Sequence, residues 1–333
     1  MTDNFDNNRR SHRDQPSTRE DYRAQADRPK RRRIWPWVLG VLVILLCIGG
    51  WIAFKAYSDV RETSEQMYQA ADYKSKRNGQ VDLSQGNQAF SVLLMGIDTG
   101  SLGRTEQGRS DTMMVMTVNP KTEQTSLLSI PRDTYTTILP NGNKDKINHA
   151  YAYGGPAGAV ETVQNLLDIP IDYYVSVNMQ GLEDMINVLG GVTVTPPISF
   201  NEDGHQFVQG QATTLNGEAA LAYVRNRYDD PEGDYGRQAR QRQVILACLK
   251  EAASLSSLPN YQEILNTIGS SVQTNMAFSD MKDLFTNYRG AANTINQAQL
   301  KGSGQMIDGV YYEMIPEGNI NQASQALKQE LNL

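Results

Sequence analysis

Cysteine and histidine are nearly missing from this chain, with two of the first and three of the second in 333 residues. Cys47 falls in a long apolar run and Cys248 in a segment with helical spacing far away, so no disulfide is expected between them. A domain without disulfides has to rest on its own core, which at this length is feasible. His12, His149 and His205 are scattered, whereas a zinc site needs clustered His and Cys ligands. No Gly-x-Ser-x-Gly elbow occurs, which leaves a serine nucleophile without support. A phosphate-cradling Gly-x-x-x-x-Gly-Lys loop is also absent, so use of a nucleoside triphosphate is not indicated.

Charge is unevenly placed. Residues 1–33 hold ten Lys/Arg and six Asp/Glu, a balance of +4, so with −6 overall the remainder carries −10. An acidic body repels phosphate chains, and nucleic acid is not an expected partner. Between head and body lies an uncharged run, residues 34–54. A helix of that length rises about 31 Å, close to the hydrocarbon core of a bilayer. Trp35, Trp37 and Trp51 stand near its ends, and Lys30, Arg31, Arg32 and Arg33 precede it. Aromatic belts and the positive-inside rule then predict a single-pass cell-membrane anchor, with the N-terminus cytoplasmic and the bulk of the chain extracellular. The run is long for a cleaved signal peptide, and no clear small-x-small site follows it. This divides the chain into a cytoplasmic disordered tail (1–33), a transmembrane helix (34–54), a polar extracellular connector (55–88) and a large domain (89–333).

Within the domain the pattern alternates. The continuous apolar run 90–97 predicts a buried strand. Residues 112–119 and 124–130 predict two more, with Asn119-Pro-Lys-Thr-Glu123 as the hairpin turn. Helical spacing recurs over 156–167, 179–189, 235–253, 261–270 and 280–288, and 217–223 begins helically. Residues 171–177, 192–195 and 310–315 read as strands. Strands alternating with helices predict an α/β fold, an α-β-α sandwich with a central mixed sheet.

Four charged clusters fall at the ends of these elements. Asp98 follows the first strand directly, where open α/β sheets place their ligands. It serves either a cation or its own turn. Asp111, in Arg109-Ser-Asp, precedes the next strand, and two such carboxylates suit a hard cation such as Mg²⁺. Arg132 follows the third strand and offers a planar fork for phosphate, or for a nearby carboxylate. The densest cluster is Arg225-Asn-Arg227 with Asp234-Tyr-Gly-Arg237-Gln-Ala-Arg240-Gln241-Arg242. Arg225 and Arg227 point the same way if the chain is extended there. Arg237 and Gln241 share a helix face, leaving Gln238 and Arg242 as ordinary surface residues on the other. Arginines converging in an acidic domain need a polyanion or several carboxylates between them; a pyrophosphate with Mg²⁺ meets that need, and a basic surface stripe is the alternative.

The motifs Gly96-Ile-Asp, Arg109-Ser-Asp-Thr, Ser129-Ile-Pro-Arg-Asp, Lys146-Ile-Asn-His-Ala-Tyr, Leu189-Gly-Gly-Val, Leu215-Asn-Gly and Tyr223-Val-Arg-Asn-Arg with Asp234-Tyr-Gly-Arg-Gln, in that order, resemble the LytR–CpsA–Psr family. The resemblance implies a membrane-anchored phosphotransferase. Such enzymes move a glycopolymer (teichoic acid, capsule or related polysaccharide) from polyprenyl pyrophosphate to a peptidoglycan acceptor, and the fold carries a deep apolar groove for the lipid. It further implies that Asp98 and Asp111 hold Mg²⁺. Arg109, Arg132, Arg225, Arg227 and Arg237, with Gln241 beside them, would grip the pyrophosphate. Asp234 resembles the general base, and Lys146 can also reach the anion. A pyrophosphatase and a non-enzymatic lipid-pyrophosphate binder are the two alternatives.

Overall fold

The structure, a computed structural model, describes residue 51 and residues 54–98, 108–254 and 261–333. The predicted tail and, apart from positions 51 and 54, the predicted membrane span lie outside the described residues. Among the described residues no helix is long and apolar enough to cross a membrane.

A mixed six-stranded sheet forms the centre. Its middle strand is β1 (Phe90–Ile97), flanked by antiparallel β2 (Ser110–Asn119) and parallel β6 (Tyr173–Asn178). Outward from β2 come antiparallel β3 (Gln124–Ile130) and then β12 (Thr294–Gln299), parallel to β3. Outward from β6 lies the short antiparallel strand β11 (Val272–Thr274). β1 is a continuous apolar run because both of its faces are covered. Leu93, Met95 and Ile97 join Met113, Val115, Leu128 and Ile130 on one face, packed against α2 (His149–Leu167) and α8 (Glu317–Leu331). Each such side chain contributes about 1.5–3 kcal/mol on burial. The alternate residues Phe90 and Val92 point to the other face, beneath Tyr288 and Ala291. That face is bordered by α3 (Met179–Val188), α5 (Asp234–Ser254), α6 (Tyr261–Ser271) and α7 (Phe278–Asn287). Helices on both faces agree with the layered α/β expectation.

α2 begins earlier than its spacing predicts. A first turn from His149 is broken at Gly155, whose φ is 59°, and Pro156 opens the longer piece, the position where proline suits a helix start. Residues 54–67 form α1. The stretch expected as a connector then packs on the domain. Gln69 N–H donates to the Thr274 carbonyl at 2.7 Å, Arg77 pairs with Asp172 at 2.6 Å, and Leu83 is buried.

Four short strands in two antiparallel pairs and α4 (Gly217–Arg225) build a second core. They are β7 (Val192–Val194) with β10 (Thr213–Leu215), and β8 (Phe200–Glu202) with β9 (His205–Phe207). Phe200, Phe207 and Tyr223 meet inside it, with the first two rings 4.6 Å apart. Two further hairpins stand at the end of the sheet, β4 (Tyr135–Thr137) with β5 (Lys144–Lys146) and β13 (Ser303–Ile307) with β14 (Val310–Met314). The predicted last strand is thus half of a hairpin outside the main sheet, and α8 is a C-terminal helix that the apolar spacing was not read to contain.

Candidate active site

At the end of β1, register slips by one residue. Gly96 pairs with Thr112 and Ile97 with Ser110, so Asp111 is the extra residue of a bulge. Bulges re-aim side chains beside functional sites. Asp98, one residue beyond β1, donates its N–H to the Arg109 carbonyl at 2.9 Å. The two carboxylates therefore leave neighbouring strands at the same end of the sheet.

β3 stops at Pro131, whose carbonyl accepts from Thr134 N–H and, at 2.7 Å, from its hydroxyl. This tight turn directs Arg132 toward Asp111, with Nη1 3.0 Å from Oδ1. Asp133 stands 3.6 Å from Arg132 Nε and 2.7 Å from Lys146 Nζ. The Lys146-Ile-Asn148 segment is tied in through its backbone, since Asn148 N–H donates to the Arg132 carbonyl at 3.2 Å. Its amide also reaches Asp111 Oδ1 at 3.5 Å.

α5 opens with Asp234, an acid where the helix dipole favours one. Gln238 donates to Asp234 Oδ2 at 3.0 Å, and Arg237 Nη2 stands 2.5 Å from Oδ1. That second contact is an ion pair without hydrogen-bond alignment. Burial pulls the Arg132 guanidinium down, but Asp111, Asp133 and Asp234 together raise it above its ordinary value. Arg237 is lowered, chiefly by burial, with Arg132 and Arg227 acting in the same sense against Asp234 and Asp111. Arg132, Arg227, Arg237, Asp111 and Asp234 thus feel one another across three separate parts of the chain.

The centre holds unmet polar atoms. Arg132 Nε, Arg237 Nε, Asn148 Oδ1 and Gln238 Oε1 are buried with no hydrogen-bond partner among the described residues. A buried donor or acceptor without a partner costs about 1–3 kcal/mol, so four in one place suit a polar ligand. Two guanidinium donors among them fit an anion.

One turn beyond Arg237, Gln241 lines a cavity of about 370 Å³. Its floor is Val92, Leu94 and Met116 on the sheet, and its walls include Leu182 of α3, Val244 of α5 and Ile268 of α6. Cys248 also lines it as a free thiol, and burial pushes that thiol up to about 11, out of the reactive range. An apolar groove ending at a cationic centre is shaped for an amphiphile with an anionic head.

The expected clamp divides in two. Arg132, Arg227, Arg237 and Gln241 share the centre. Arg109 is exposed, and so is Arg225, which leans toward Asp203 at 3.7 Å. Arg225 and Arg227 do not lie on one extended chain, because Arg225 is still the last residue of α4. Nor are Gln238 and Arg242 surface residues. Both are buried, and Arg242 donates to Ser129 Oγ at 2.7 Å and Gln299 Oε1 at 3.1 Å. Asn148, Tyr235 and Glu313 were missed. Asn148 lay inside a recognised motif, whereas Glu313 reaches the centre only through tertiary folding.

Residues 54–329 match the LytR_cpsA_psr family. A polyisoprenyl-teichoic acid–peptidoglycan teichoic acid transferase, TagU of Enterococcus faecalis (strain ATCC 700802 / V583), is 45% identical over 303 residues, covering 91% of this chain and 99% of that protein. The crystal structure of B. subtilis TagU is 42% identical with a TM-score of 0.60, covering 74% of this chain and 97% of that one. A structure of TagT bound to LI-WTA is 32% identical with a TM-score of 0.65, covering 80% and 99%. With the matched span taking in the sheet, the groove and the arginine centre, the chain belongs to the LytR–CpsA–Psr family.

Proposed function

We propose that this chain transfers a phosphate-linked glycopolymer, teichoic acid by similarity to its relatives, from polyprenyl pyrophosphate to peptidoglycan. The observation that carries the reading is the apolar groove ending at two buried, unmet guanidinium donors. The groove takes the polyprenyl chain, and Arg132, Arg227 and Arg237 take the pyrophosphate. Arg109 and Arg225 extend the clamp from solvent. The basic head and apolar run of residues 1–54 would hold the domain at the outer face of the cell membrane, where the lipid carrier is concentrated.

Asp98 and Asp111 are the residues assigned to Mg²⁺. The described residues contain no cluster of three or more metal-binding side chains, and a pair of hard oxygen ligands suits an ion that keeps water and substrate phosphate as its other ligands. When bound, the ion supplies positive charge to the pyrophosphate oxygens. The protein's own part is placement and charge. A hydroxyl oxygen of the acceptor sugar bonds to the phosphorus that bears the glycopolymer. The bond from that phosphorus to the bridging oxygen breaks, and polyprenyl phosphate leaves with its charge held by the arginines. The hydroxyl proton passes to Asp234, a carboxylate held in place by Arg237 and Gln238. No other energy source is required, because the pyrophosphate is already activated.

The test uses the full-length chain with a polyprenyl-pyrophosphate glycan donor and a peptidoglycan acceptor. Arg132→Ala is expected to slow attachment by about 10²–10³ while the melting transition survives. Attachment at the parent rate would sink the assignment, and donor cleavage without attachment would mark a hydrolase.

A further inference from the structure

The hairpin β13–β14 stands beside the reacting centre, and it is fixed there by bonds that the transfer chemistry does not use. Its turn, Asp308-Gly309, has φ of 48° and 78°, the pair of positive values that matches strand twist in a two-residue hairpin. Glu313 N–H donates to the Asp133 carbonyl at 2.8 Å. The Glu313 carboxylate is buried and has no cationic partner in contact among the described residues. It accepts instead from two phenols, Tyr235 at 2.6 Å and Tyr311 at 2.7 Å. Tyr235 directly follows Asp234, and its hydroxyl also accepts from Gly302 N–H at 2.7 Å.

Tyr311 is therefore pinned at its hydroxyl while 44% of the residue stays exposed. Its ring lies against Gly304 on the facing strand, where a methyl group would come 2.5 Å from Cε2. Glycine is needed at that point for the ring to lie flat. Asp133 and Asp234 both act on the Tyr311 phenol, which burial and the Glu313 bond push up to about 12. It stays a neutral phenol at any physiological pH. A packing residue would bury its ring, and a solvent tyrosine would not have it seated and tethered.

We propose that Tyr311 is a stacking platform for the pyranose ring adjoining the reacting phosphorus, with Glu313 as its positioning residue. The apolar face of a pyranose suits an aromatic face, and a ring locked in place binds with less entropy loss. This rests on the transferase reading above. Two sugars have that chemistry, the first sugar of the donor polymer and the acceptor sugar of the wall.

The experiment measures KM of the full-length chain for a polyprenyl-pyrophosphate disaccharide and, separately, for a short peptidoglycan strand. Affinity for geranylgeranyl pyrophosphate, which has no sugar, is the reference. Tyr311→Ala is expected to raise one of the two KM values about tenfold relative to that reference. The arm that moves identifies the sugar. Gly304→Ala, which displaces the ring without removing it, should move the same arm. Tyr311→Phe, which keeps the ring but cuts its bond to Glu313, should fall between parent and Tyr311→Ala on the same arm. A Tyr311→Ala variant whose two KM values both track the reference overturns the platform and leaves the transferase reading standing. A parent chain that does not bind geranylgeranyl pyrophosphate overturns both.

Discussion

Two buried arginines stand one helical turn apart on α5, and the chain treats them differently. Arg240 is fully enclosed in the second core. Its Nε donates to the Tyr223 carbonyl at 3.0 Å, and its other nitrogens reach Asp230 and the Asn226 carbonyl. The Phe200 ring lies 5.0 Å from its centre. Arg237 is nearly as buried, yet it has one misaligned ion pair and an Nε with no partner. A guanidinium with a bond to each of its nitrogens holds a fold together. One with a buried nitrogen left open suits the ligand role proposed for Arg237.

The largest stability effect should fall on the satisfied arginine. Arg240→Met leaves Asp230 buried and unpaired, which costs about 3–5 kcal/mol. Urea unfolding checks it, and replacing Asp230 with Asn in the same chain should recover part of the loss. Arg237→Met should behave in the opposite way. Asp234 keeps its Gln238 hydrogen bond and is partly exposed, so stability should change by about 1 kcal/mol or less. Binding of geranylgeranyl pyrophosphate should be lost. An Arg237→Met chain as unstable as Arg240→Met would erase the distinction between the two.

Sequence spacing anticipated the placement of one of these arginines but not of the other. Arg237 and Gln241 at i and i+4 do share the face that looks onto the groove. The same logic assigned Arg242 to solvent, because a helix with one functional face is expected to expose the other. α5 is instead enclosed on several sides: Arg240 enters the second core, and Arg242 reaches neutral oxygens on β3 and β12. The strand-end carboxylates were legible because β1 is apolar along its whole length and Asp98 marks its end. The Arg225–Arg227 pair was misjudged because nothing local shows that α4 continues to Arg225. Two misses did leave signals. Asp308-Gly309 is a strong hairpin turn. Glu317 just after Pro316 and Lys328 near the far end are the charges that favour the start and finish of α8. Glu313 left none, since its value comes from two tyrosines brought to it by folding.

A third charged centre separates the effect of partners from the effect of burial. Asp168 ends α2 with φ of 50° and accepts from Lys76 and Lys328, each at 2.6 Å. Those hydrogen bonds, Lys328 first, hold its carboxyl at about 2. The site is open to water, so its two partners contribute less than about 1 kcal/mol. Asp168→Asn keeps a side chain that tolerates positive φ and removes only the charge. The sign follows from the lowered value: the native contribution is full above the unfolded carboxyl's pKa of about 3.9 and disappears as pH falls toward 2. Parent and variant should therefore differ slightly at pH 7, less in high salt, and converge in acid. A gap that approached the Arg240 effect would show that partner number rather than burial sets what a charge contributes here, and one that widened as pH fell would contradict the lowered carboxyl.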